Sequence, residues 1–353
     1  MARCMRIAVG TIPRNDSFGG GNQFARTLGR ALREKNHHVF NDLSDPNLDI
    51  IVITEPRLWL QASAFGPLEV TRYLKKINPE AIVIHRINEC DERKGTKTVN
   101  KQLVLANTIA DHTVYISAYL SDVFRGYSLT RKNSVIRNGA DKDIFQFKRK
   151  TSPSNGQKMR IVTHHWSPNW NKGWDIYKLI DDSINPDMYE FHYIGNKPSN
   201  IQTKNIIFHD PCANEELSRL LSDNHIYLTA SINEPAGMHH IEGAAVGLPL
   251  VFRESGALPE YCMGYGEGFS DIESAWEAIR KIETNFINYA ARMQAYPARS
   301  KIMVDQYLEL FEKLMSDKHR IMKNRESRTS VVRDIYRTIE YHKYYLMHYF
   351  GSR

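Results

Sequence analysis

Short apolar segments alternate with amphipathic helical patterns along most of this 353-residue chain, and this alternation limits the possible folds more than any other feature. Each apolar segment is followed by Gly, Pro or polar residues, as buried strands are. Strands that alternate with helices indicate parallel sheets with helices on both faces. The predicted strands are Met5–Gly10, His38–Phe40, Asp49–Thr54, Ala81–His85, Thr113–Ser117 and Ser134–Arg137, then Met159–Thr163, Phe191–Ile194, Ile206–His209, Ile226–Thr229 and Leu250–Phe252.

The series is interrupted by KRKTSPSNGQK, residues 148–158, which is polar and rich in residues that break regular structure. We predict a linker there, between two Rossmann-like, doubly wound α/β domains, residues 1–147 and 159–300. The chain is long enough for each domain to bury its own core. Ligands of such sheets bind beyond the carboxyl ends of the strands, so we expect the site in a central cleft between the domains.

The formal charge of +7 is concentrated in residues 318–353, which contain nine Lys/Arg and three Asp/Glu and so carry +6. The rest of the chain is nearly neutral, which argues against nucleic acid as a partner. Apolar residues recur in this tail near helical spacing, with basic residues between them: Val332, Ile335, Tyr336, Ile339, Leu346 and Phe350, with Arg333, Arg337 and Lys343. Such a helix suits peripheral contact with a membrane, or docking on its own domains or on a second copy.

The cellular compartment is predicted from three features of the sequence. No apolar run approaches the length that spans a bilayer. Arg6 and Pro13 interrupt the segment where a signal peptide would have its apolar core. The four cysteines are scattered without metal-ligand spacing, which fits buried free thiols in a reducing compartment. We therefore expect a cytoplasmic protein.

A glycine-rich loop, Gly19-Gly20-Gly21-Asn22, lies between the first predicted strand and the first helix. Such a loop lets the backbone approach a phosphate or a sugar, with unpaired N–H groups at the helix start. Phe24 stands at the sixth position, so the loop does not match the dinucleotide fingerprint G-x-G-x-x-G. A tight turn that requires glycine for steric reasons explains the loop equally well.

The segment SINEPAGMHHIEGAAVGLPLVF, residues 231–252, places two glutamates around a predicted helix start. The N–H groups that follow Gly237 are unpaired donors at the positive end of the helix dipole, which suits a diphosphate. Glu242, early in the helix, could accept hydrogen bonds from a vicinal diol such as a ribose. Glu234, at the strand end, could accept from the hydroxyls of a second sugar. Taken singly, each could also be an ordinary helix-start or loop acid.

Two further positions could face the cleft. Lys172 follows a strand and begins a helix in NKGWD, where a lysine can neutralise a departing phosphate or simply be solvated. His85 ends the strand AIVIH, which suits binding or proton transfer, although a structural histidine is an equal alternative. The nucleophile motif G-x-S-x-G of the α/β-hydrolases is absent from the sequence.

These segments, in this order, resemble glycosyltransferase family 4, the retaining sugar-nucleotide transferases of GT-B fold. The resemblance covers residues 5–316 and rests on the glycine loop, SVIRNGADKDIF, NKGWD, YIGNKPSN, EPAGMHHIEGAAVGLPLVF and SGALPEY. The segment IMVDQYLELFEKLM is similar to the family's C-terminal helix, so residues 301–317 would cross back to the first domain and residues 318–353 would form a basic helical extension.

The resemblance implies a role for each matched residue. Glu242 would bind the donor ribose, Glu234 the transferred sugar, and Lys172 would stabilise the leaving diphosphate. The other implied residues are Gly20, Gly21, Gly237, Met238 and His239 at the diphosphate or sugar, Gly195, Phe208 and His209 at the base, and His85 at the reacting sugar and the acceptor. The co-substrate would be a UDP- or GDP-linked sugar, with no cofactor and no metal, since no D-x-D signature lies at a fitting place.

The sequence departs from the family at two positions. The family often has an arginine about six residues before the lysine, and here His165 and Trp166 occupy that neighbourhood. A histidine replaces a bidentate guanidinium only in part. Ala236 stands where an aromatic residue is frequent.

The expected activity is retaining transfer of a sugar to a hydroxyl of a glycan, a lipid-linked acceptor or another acceptor. The alternatives are a catalytically idle GT-B protein that binds a sugar nucleotide or a glycan, and a glycoside hydrolase that uses the two glutamates.

Overall fold

The computed structural model describes residues 3–14, 19–127, 129, 132–154, 156–326 and 331–350. These residues form two six-stranded sheets in which all strand pairs are parallel, with helices packed against the sheets. The predicted α/β fold with two doubly wound sheets is therefore confirmed.

The first sheet has the order β2-β1-β3-β4-β5-β6. Its strands are β1 Arg6–Val9, β2 His38–Phe40, β3 Ile50–Ile53, β4 Ile82–Ile87, β5 His112–Tyr115 and β6 Asn133–Val135. The helices of this part are α1 Gly19–Glu34, α2 Pro67–Lys76, α3 Asp91–Lys94, α4 Val99–Asn107 and α5 Ala118–Val123. The central strands β3 and β4 are buried along their whole length, as expected of parallel strands covered on both faces.

The second sheet has the order β12-β11-β10-β7-β8-β9. Its strands are β7 Met159–His165, β8 Tyr189–Gly195, β9 Ile206–His209, β10 Ile226–Thr229, β11 Leu250–Arg253 and β12 Gly266–Phe269. Its helices are α6 Trp174–Ser183, α7 Asn214–Ser222, α8 Met238–Ala245, α9 Leu258–Cys262, α10 Ile272–Thr284 and α11 Phe286–Arg292, with short 3₁₀ helices at Trp170–Lys172 and Met293–Ala295.

The structure differs from the predicted elements in three places. Strand β4 continues to Ile87, so His85 lies within the strand and not at its end. Strand β7 continues through His165, because it pairs with β8 as far as Gly195. Strand β12 was not predicted, since the sequence GEGF shows no alternation of apolar residues.

The chain returns to the first sheet after completing the second. Helix α12, Ser300–Ser316, packs against α1, and the rings of Phe24 and Tyr307 lie 5.3 Å apart. The segment that leaves the first sheet and the segment that returns to it run side by side, since Ala140 and Arg299 form an isolated parallel bridge. The division at residues 148–158 stays a prediction.

The basic tail forms helices α13, Lys318–Glu326, and α14, Val331–Phe350, which dock on the first domain. Arg337 is buried and donates to the hydroxyls of Thr71 and Thr108, and Tyr341 donates to the carbonyl of Pro56. The predicted alternative of docking on the protein's own domains thus applies to these residues. The side chains of Val332, Arg333, Ile335, Tyr336 and Phe350 lie outside the described residues.

Two other expectations can be compared with the structure. All four cysteines are free thiols, but Cys4 is exposed and Cys212 is only partly buried, so the expectation of four buried thiols is wrong for these two. Within the described ranges, none of the helices has the length and the apolar composition that a membrane span requires.

Candidate functional site

A cavity of about 310 Å³ lies between the carboxyl ends of the two sheets. Residues of the first domain form one wall: Gly19, Gly20, Gly21, Gln23, Arg86, Asn88, Arg93, Lys94, Ile116 and Asn138. Residues of the second domain form the other: His164, His165, Trp166, Ser167, Lys172, Ile194, Gly195, Pro211, Cys212, Ala213, Leu217, Glu234, Pro235, Ala236, Gly237, Met238, His239 and Glu242. The predicted site residues on the cavity wall are Gly20, Gly21, His165, Lys172, Gly195, Glu234, Gly237, Met238, His239 and Glu242.

Two helix starts face each other across this cavity. Helix α1 begins at Gly19, and helix α8 begins at Met238 after Gly237. A Cβ atom at Gly20 would lie 3.0 Å from the Cγ atom of Met238, so glycine lets the two helix ends approach. The positive ends of two helix dipoles therefore meet at one place, which favours a bound anion.

Lys172 and Glu234 form a buried ion pair in the second-domain wall. The Nζ atom of Lys172 donates to Oε2 of Glu234 at 2.6 Å. Burial alone would raise the pKa of Glu234, but Lys172 and Arg93 lower it to about 2. Burial lowers the pKa of Lys172, against the effect of Glu234. The pair is therefore ionised at neutral pH, and it places a cation on the cavity wall.

The position of Lys172 depends on the glycine that follows it. Gly173 has φ of 106°, in the left-handed region, and ends the 3₁₀ helix before α6 begins. A Cβ atom at this residue would lie 2.4 Å from the Cβ atom of Ala230. Any side chain at Gly173 would thus strain the turn and push Lys172 away from β10.

Arg93, which the sequence reasoning missed, brings a guanidinium from the first domain to the same place. It lies on α3, and its Nη1 donates to Oε2 of Glu89 at 2.9 Å. Its Nε lies 3.8 Å from Oε1 of Glu234 in the second domain, and Asn171 donates to its carbonyl. The basic run Arg93-Lys94 after a strand was the available signal, but no local pattern pairs it with residue 234.

His164, also missed, holds Glu242 from β7. Its Nε2 lies 2.8 Å from Oε2 of Glu242, and its Nδ1 lies 3.1 Å from the hydroxyl of Tyr227. Burial raises the pKa of Tyr227 well above its usual range, so its hydroxyl donates to Nδ1 and the Nε2–H donates to Glu242. Oε1 of Glu242 is buried and has no hydrogen-bond partner. One carboxylate oxygen is thus free to accept from a ligand.

The histidines beside Lys172 are neutral. Burial, together with Lys172, lowers the pKa of His165 well below its usual range. Burial, reinforced by His165, does the same to the pKa of His239, which bonds to Thr229 at 2.9 Å. His165 lies on the cavity wall, and its lowered pKa disfavours the positive charge that an arginine would supply there.

His85 does not line the cavity. Its side chain is fully buried, and its Nδ1 lies 3.2 Å from the side-chain amide of Asn107 on α4. Burial lowers the pKa of His85 to about 3. The predicted strand-end position is wrong because β4 is two residues longer than its apolar run, and its cavity-lining neighbours are instead Arg86 and Asn88.

Phe208 and His209 also lie outside the cavity. Phe208 packs against Trp174 and Tyr193, and His209 bonds to His192 at 2.9 Å. The loop that follows β9 lines the cavity instead, through Pro211, Cys212 and Ala213, beside Gly195 at the end of β8. Gly195 is required there, since its φ is 123° and a Cβ atom would lie 2.1 Å from the carbonyl oxygen of His165.

Among the residues that the structure describes, no group of three or more His, Cys, Asp or Glu side chains is arranged to hold a metal ion.

No protein-family model and no curated protein matches this sequence. Solved structures do match. Sucrose-phosphate synthase from Thermosynechococcus elongatus has a TM-score of 0.67 and 15% identity, over 88% of this chain and 99% of that chain. The catalytic domain of starch synthase IV from Arabidopsis thaliana, bound to ADP and acarbose, has a TM-score of 0.66 and 12% identity, over 89% and 100%.

Anabaena HepE in complex with UDP and glucose matches with a TM-score of 0.61 and 13% identity, over 88% of this chain and all of that chain. At these identities the likeness shows the fold alone. Because the structural neighbours are glycosyltransferases of GT-B fold, the chain has the GT-B fold, as predicted.

Proposed function

We propose that this protein is a glycosyltransferase that moves a sugar from a nucleoside-diphosphate sugar to a hydroxyl of a glycan, a lipid-linked acceptor or another acceptor. One observation carries the proposal: two helix starts and the ion-paired Lys172 meet at a single cavity between two domains. A diphosphate needs N–H donors and positive charge, and this arrangement supplies both.

Glu242 is the proposed ribose-binding residue. An unpaired buried acceptor costs about 1–3 kcal/mol, and the hydroxyl of a ribose would satisfy Oε1. His164 already occupies Oε2, so it orients the carboxylate and leaves one oxygen for the ligand.

The loop after β9 is the proposed contact for the nucleobase. Pro211 and Ala213 line the cavity, as do Ile194, Gly195 and Leu217. Apolar groups of this kind favour the face of a base, and the backbone at Gly195 can approach it closely because no side chain intervenes.

The proposed reaction breaks the bond between the anomeric carbon and the diphosphate oxygen, and the electron pair of that bond remains on the diphosphate. Lys172, Arg93 and the N–H groups of α8 stabilise this charge. The acceptor hydroxyl attacks the anomeric carbon on the same face, which retains the configuration, and its proton passes to the departing diphosphate. The reaction in this proposal uses no metal, since protein cations provide the positive charge.

Glu234 has two proposed tasks in this reaction. Its Oε2 holds Lys172, while its Oε1 has no hydrogen-bond partner and is free to accept from a hydroxyl of the transferred sugar. The ion pair thereby connects the sugar to the cation that stabilises the leaving group. This geometry does not support a catalytic task for His85.

The structural neighbours support the donor class. HepE was solved with UDP and glucose, and starch synthase IV with ADP and acarbose. Both carry a nucleoside diphosphate and a sugar in the same fold. We propose a UDP- or GDP-linked sugar for this chain, and the ADP-bound neighbour adds ADP-sugars to the candidates to be tested.

The glycoside hydrolase alternative requires a carboxyl group that is protonated near neutral pH. Glu234 does not fit this acid role, since Lys172 and Arg93 lower its pKa to about 2 in spite of burial. The idle binding protein remains a separate outcome, and measurement of donor turnover distinguishes it from an enzyme.

A panel of UDP, GDP, dTDP and ADP with their sugars, followed by thermal unfolding, tests donor binding. A ligand at 100 times its Kd stabilises the folded state by about 2.7 kcal/mol. Release of the nucleoside diphosphate from the active donor then tests turnover, with Lys172→Met compared against Lys204→Met, an exposed lysine outside the cavity. The proposal is refuted if no nucleotide stabilises the protein, or if Lys172→Met keeps both donor affinity and rate.

Peripheral membrane contact of the tail stays a prediction. Ile339, Leu346, Met347 and Tyr349 on α14 are exposed, and Lys343 lies on the same helix. Co-sedimentation of the whole chain with anionic liposomes, compared between wild type and Leu346→Glu, tests the prediction. Equal binding of the two proteins, or none by wild type, would remove it.

A further inference from the structure

Arg86 is a buried cation on the first-domain wall of the cavity. It lies on β4, one residue before its end, and only 1% of its surface is exposed. The proposed reaction assigns it no task. Because Arg86 lines the cavity, the hydrogen bonds that its guanidinium makes and lacks indicate which chemical groups could bind there.

The guanidinium of Arg86 is only partly satisfied. Its Nη2 donates to Oδ1 of Asn138 at 2.8 Å, while Nε and Nη1 have no partner in hydrogen-bond geometry. Burial lowers the pKa of Arg86, and the nearby hydroxyl of Tyr307, which also has no hydrogen-bond partner, only partly opposes this shift. The ring of Phe24 lies against it, with 3.8 Å between the guanidinium carbon and the ring centroid. This contact attracts the cation but accepts no hydrogen bond from the N–H groups at its edge.

The other cations of the cavity wall each have a carboxylate partner. Lys172 is paired with Glu234 at 2.6 Å, Arg93 with Glu89 at 2.9 Å, and Lys94 with Glu89 at 3.4 Å. Among the residues described, Arg86 has no carboxylate within ion-pair distance. An arginine in a protein does not lose its proton, so an anion bound in the cavity would compensate the buried charge that Asn138 and the Phe24 ring satisfy only in part.

We propose that Arg86 binds an anionic group of the acceptor, either a carboxylate or a phosphate. This inference rests on the proposed transferase function and narrows its acceptor to acidic or phosphorylated molecules. The donor diphosphate already has Lys172 and Arg93, which lie together at Glu234. Arg86 instead bonds to Asn138 and stacks on α1, in the wall formed by the first domain.

The planar fork of arginine suits both anions, because it can donate two parallel hydrogen bonds to carboxylate or phosphate oxygens. Asn88 lines the cavity two residues further along the chain and adds a neutral polar group near Gly21. Lysine at position 86 would keep the charge but lose this bidentate geometry.

The test measures the binding of glucose 6-phosphate, glucuronate and neutral glucose by calorimetry, at constant ionic strength. Each titration is done with and without a saturating nucleoside diphosphate from the stabilising panel. The proteins are wild type, Arg86→Met, Arg86→Lys, and the control Arg219→Met, a surface arginine that lies outside the cavity. Circular dichroism checks that each variant is folded.

We expect wild type and Arg219→Met to bind at least one anionic sugar about tenfold or more tightly than glucose, with nucleotide present. Arg86→Met should lose this preference, and Arg86→Lys should keep a smaller part of it. If Arg86→Met does not fold, the Arg86→Lys variant is the test. A preference smaller than that of wild type supports the inference, and an unchanged preference contradicts it.

Three results would overturn the inference: no anionic preference in wild type, an unchanged preference in the folded Arg86 variants, or a preference that disappears when the nucleotide site is filled. The last result would assign the anion to the donor site. Failure of the proposed function would give a different result. The protein would then bind no nucleotide, but a preference for anionic sugars that depends on Arg86 would still be measurable in nucleotide-free protein.

Discussion

Replacement of Lys172 by methionine is the most direct perturbation of the site. The change keeps an unbranched side chain of similar length and removes the charge that Glu234 faces at 2.6 Å. Both members of the pair are buried, so solvent does not replace the lost interaction. The variant therefore leaves an ionised carboxylate in the protein interior with Arg93 as its remaining cation, 3.8 Å away.

Two figures give the scale of the cost, one for a buried ion pair in general and one for the combined effect of burial, Lys172 and Arg93 on the pKa of Glu234. Removal of one partner from a buried ion pair costs about 3–5 kcal/mol, because an uncompensated charge remains. The pKa of Glu234 is about 2 in the folded protein, against an ordinary value of 4.5, and a shift of this size corresponds to about 3 kcal/mol. Because Arg93 still faces Glu234, we expect the loss in unfolding free energy to lie near the lower figure.

The sign of the pH dependence follows from the lowered pKa. A carboxyl group whose folded pKa is depressed contributes stability that is fully present above its unfolded pKa of 4.5 and is lost as the pH falls towards 2. The difference in stability between wild type and Lys172→Met should therefore be largest at neutral pH and shrink below pH 4.5.

Urea unfolding of both proteins at pH 7 and at several lower pH values, followed by tryptophan fluorescence, measures this difference. Glu234→Gln and the double variant complete a mutant cycle, and the double variant should be less destabilised than the sum of the two single variants. A loss below about 1 kcal/mol for Lys172→Met, or additive effects in the cycle, would show that the pair does not stabilise the fold as argued.

Three further predictions concern other parts of the molecule. Gly173→Ala should destabilise the protein by more than about 1 kcal/mol and lower turnover. The control Gly126→Ala should do neither, because a Cβ atom there meets nothing within 4 Å. Equal melting temperatures of the two variants would contradict the strained turn at Gly173. Glu242→Ala should raise the KM for the donor about tenfold with a smaller effect on kcat, and steady-state kinetics that show the reverse would remove its ribose role. Tyr341→Phe should cost about 1–3 kcal/mol of unfolding free energy, because the N–H of Leu58 and the carbonyl of Pro56 lose their partner; an unchanged urea midpoint would show that α14 is not held there.

The positions of most strands along the chain could be predicted from the sequence because buried parallel strands require runs of apolar residues. Ile50–Ile53 and Ile226–Thr229 are buried along their whole length, and both were identified by composition alone. Strand ends were less predictable. His85 and His165 belong to β4 and β7 because their backbone groups pair with neighbouring strands, and this pairing does not depend on the polarity of the side chain.

Glycines 20, 21 and 237, which lie close in sequence to the two helix starts, and Gly195, which ends β8, line the cavity. A glycine before a helix leaves a local signature in the sequence, whereas the ligand contacts of these glycines stay predictions. Phe208 and His209 were misplaced although β9 has its predicted bounds, because their side chains contact Trp174, Tyr193 and His192 while the loop from Pro211 onward lines the cavity.

The sequence by itself determined the alternation of strands and helices, the two sheets and the local geometry of the helix starts, because these depend on hydrophobic periodicity and glycine within short segments. Only the tertiary structure decided which charges meet. Arg93 reaches Glu234 from another domain, His164 holds Glu242 across 78 positions, and Arg86 is left without a carboxylate. The physical reason is that Coulomb and hydrogen-bond energies depend on distance and burial in space, and neither is encoded in local sequence spacing.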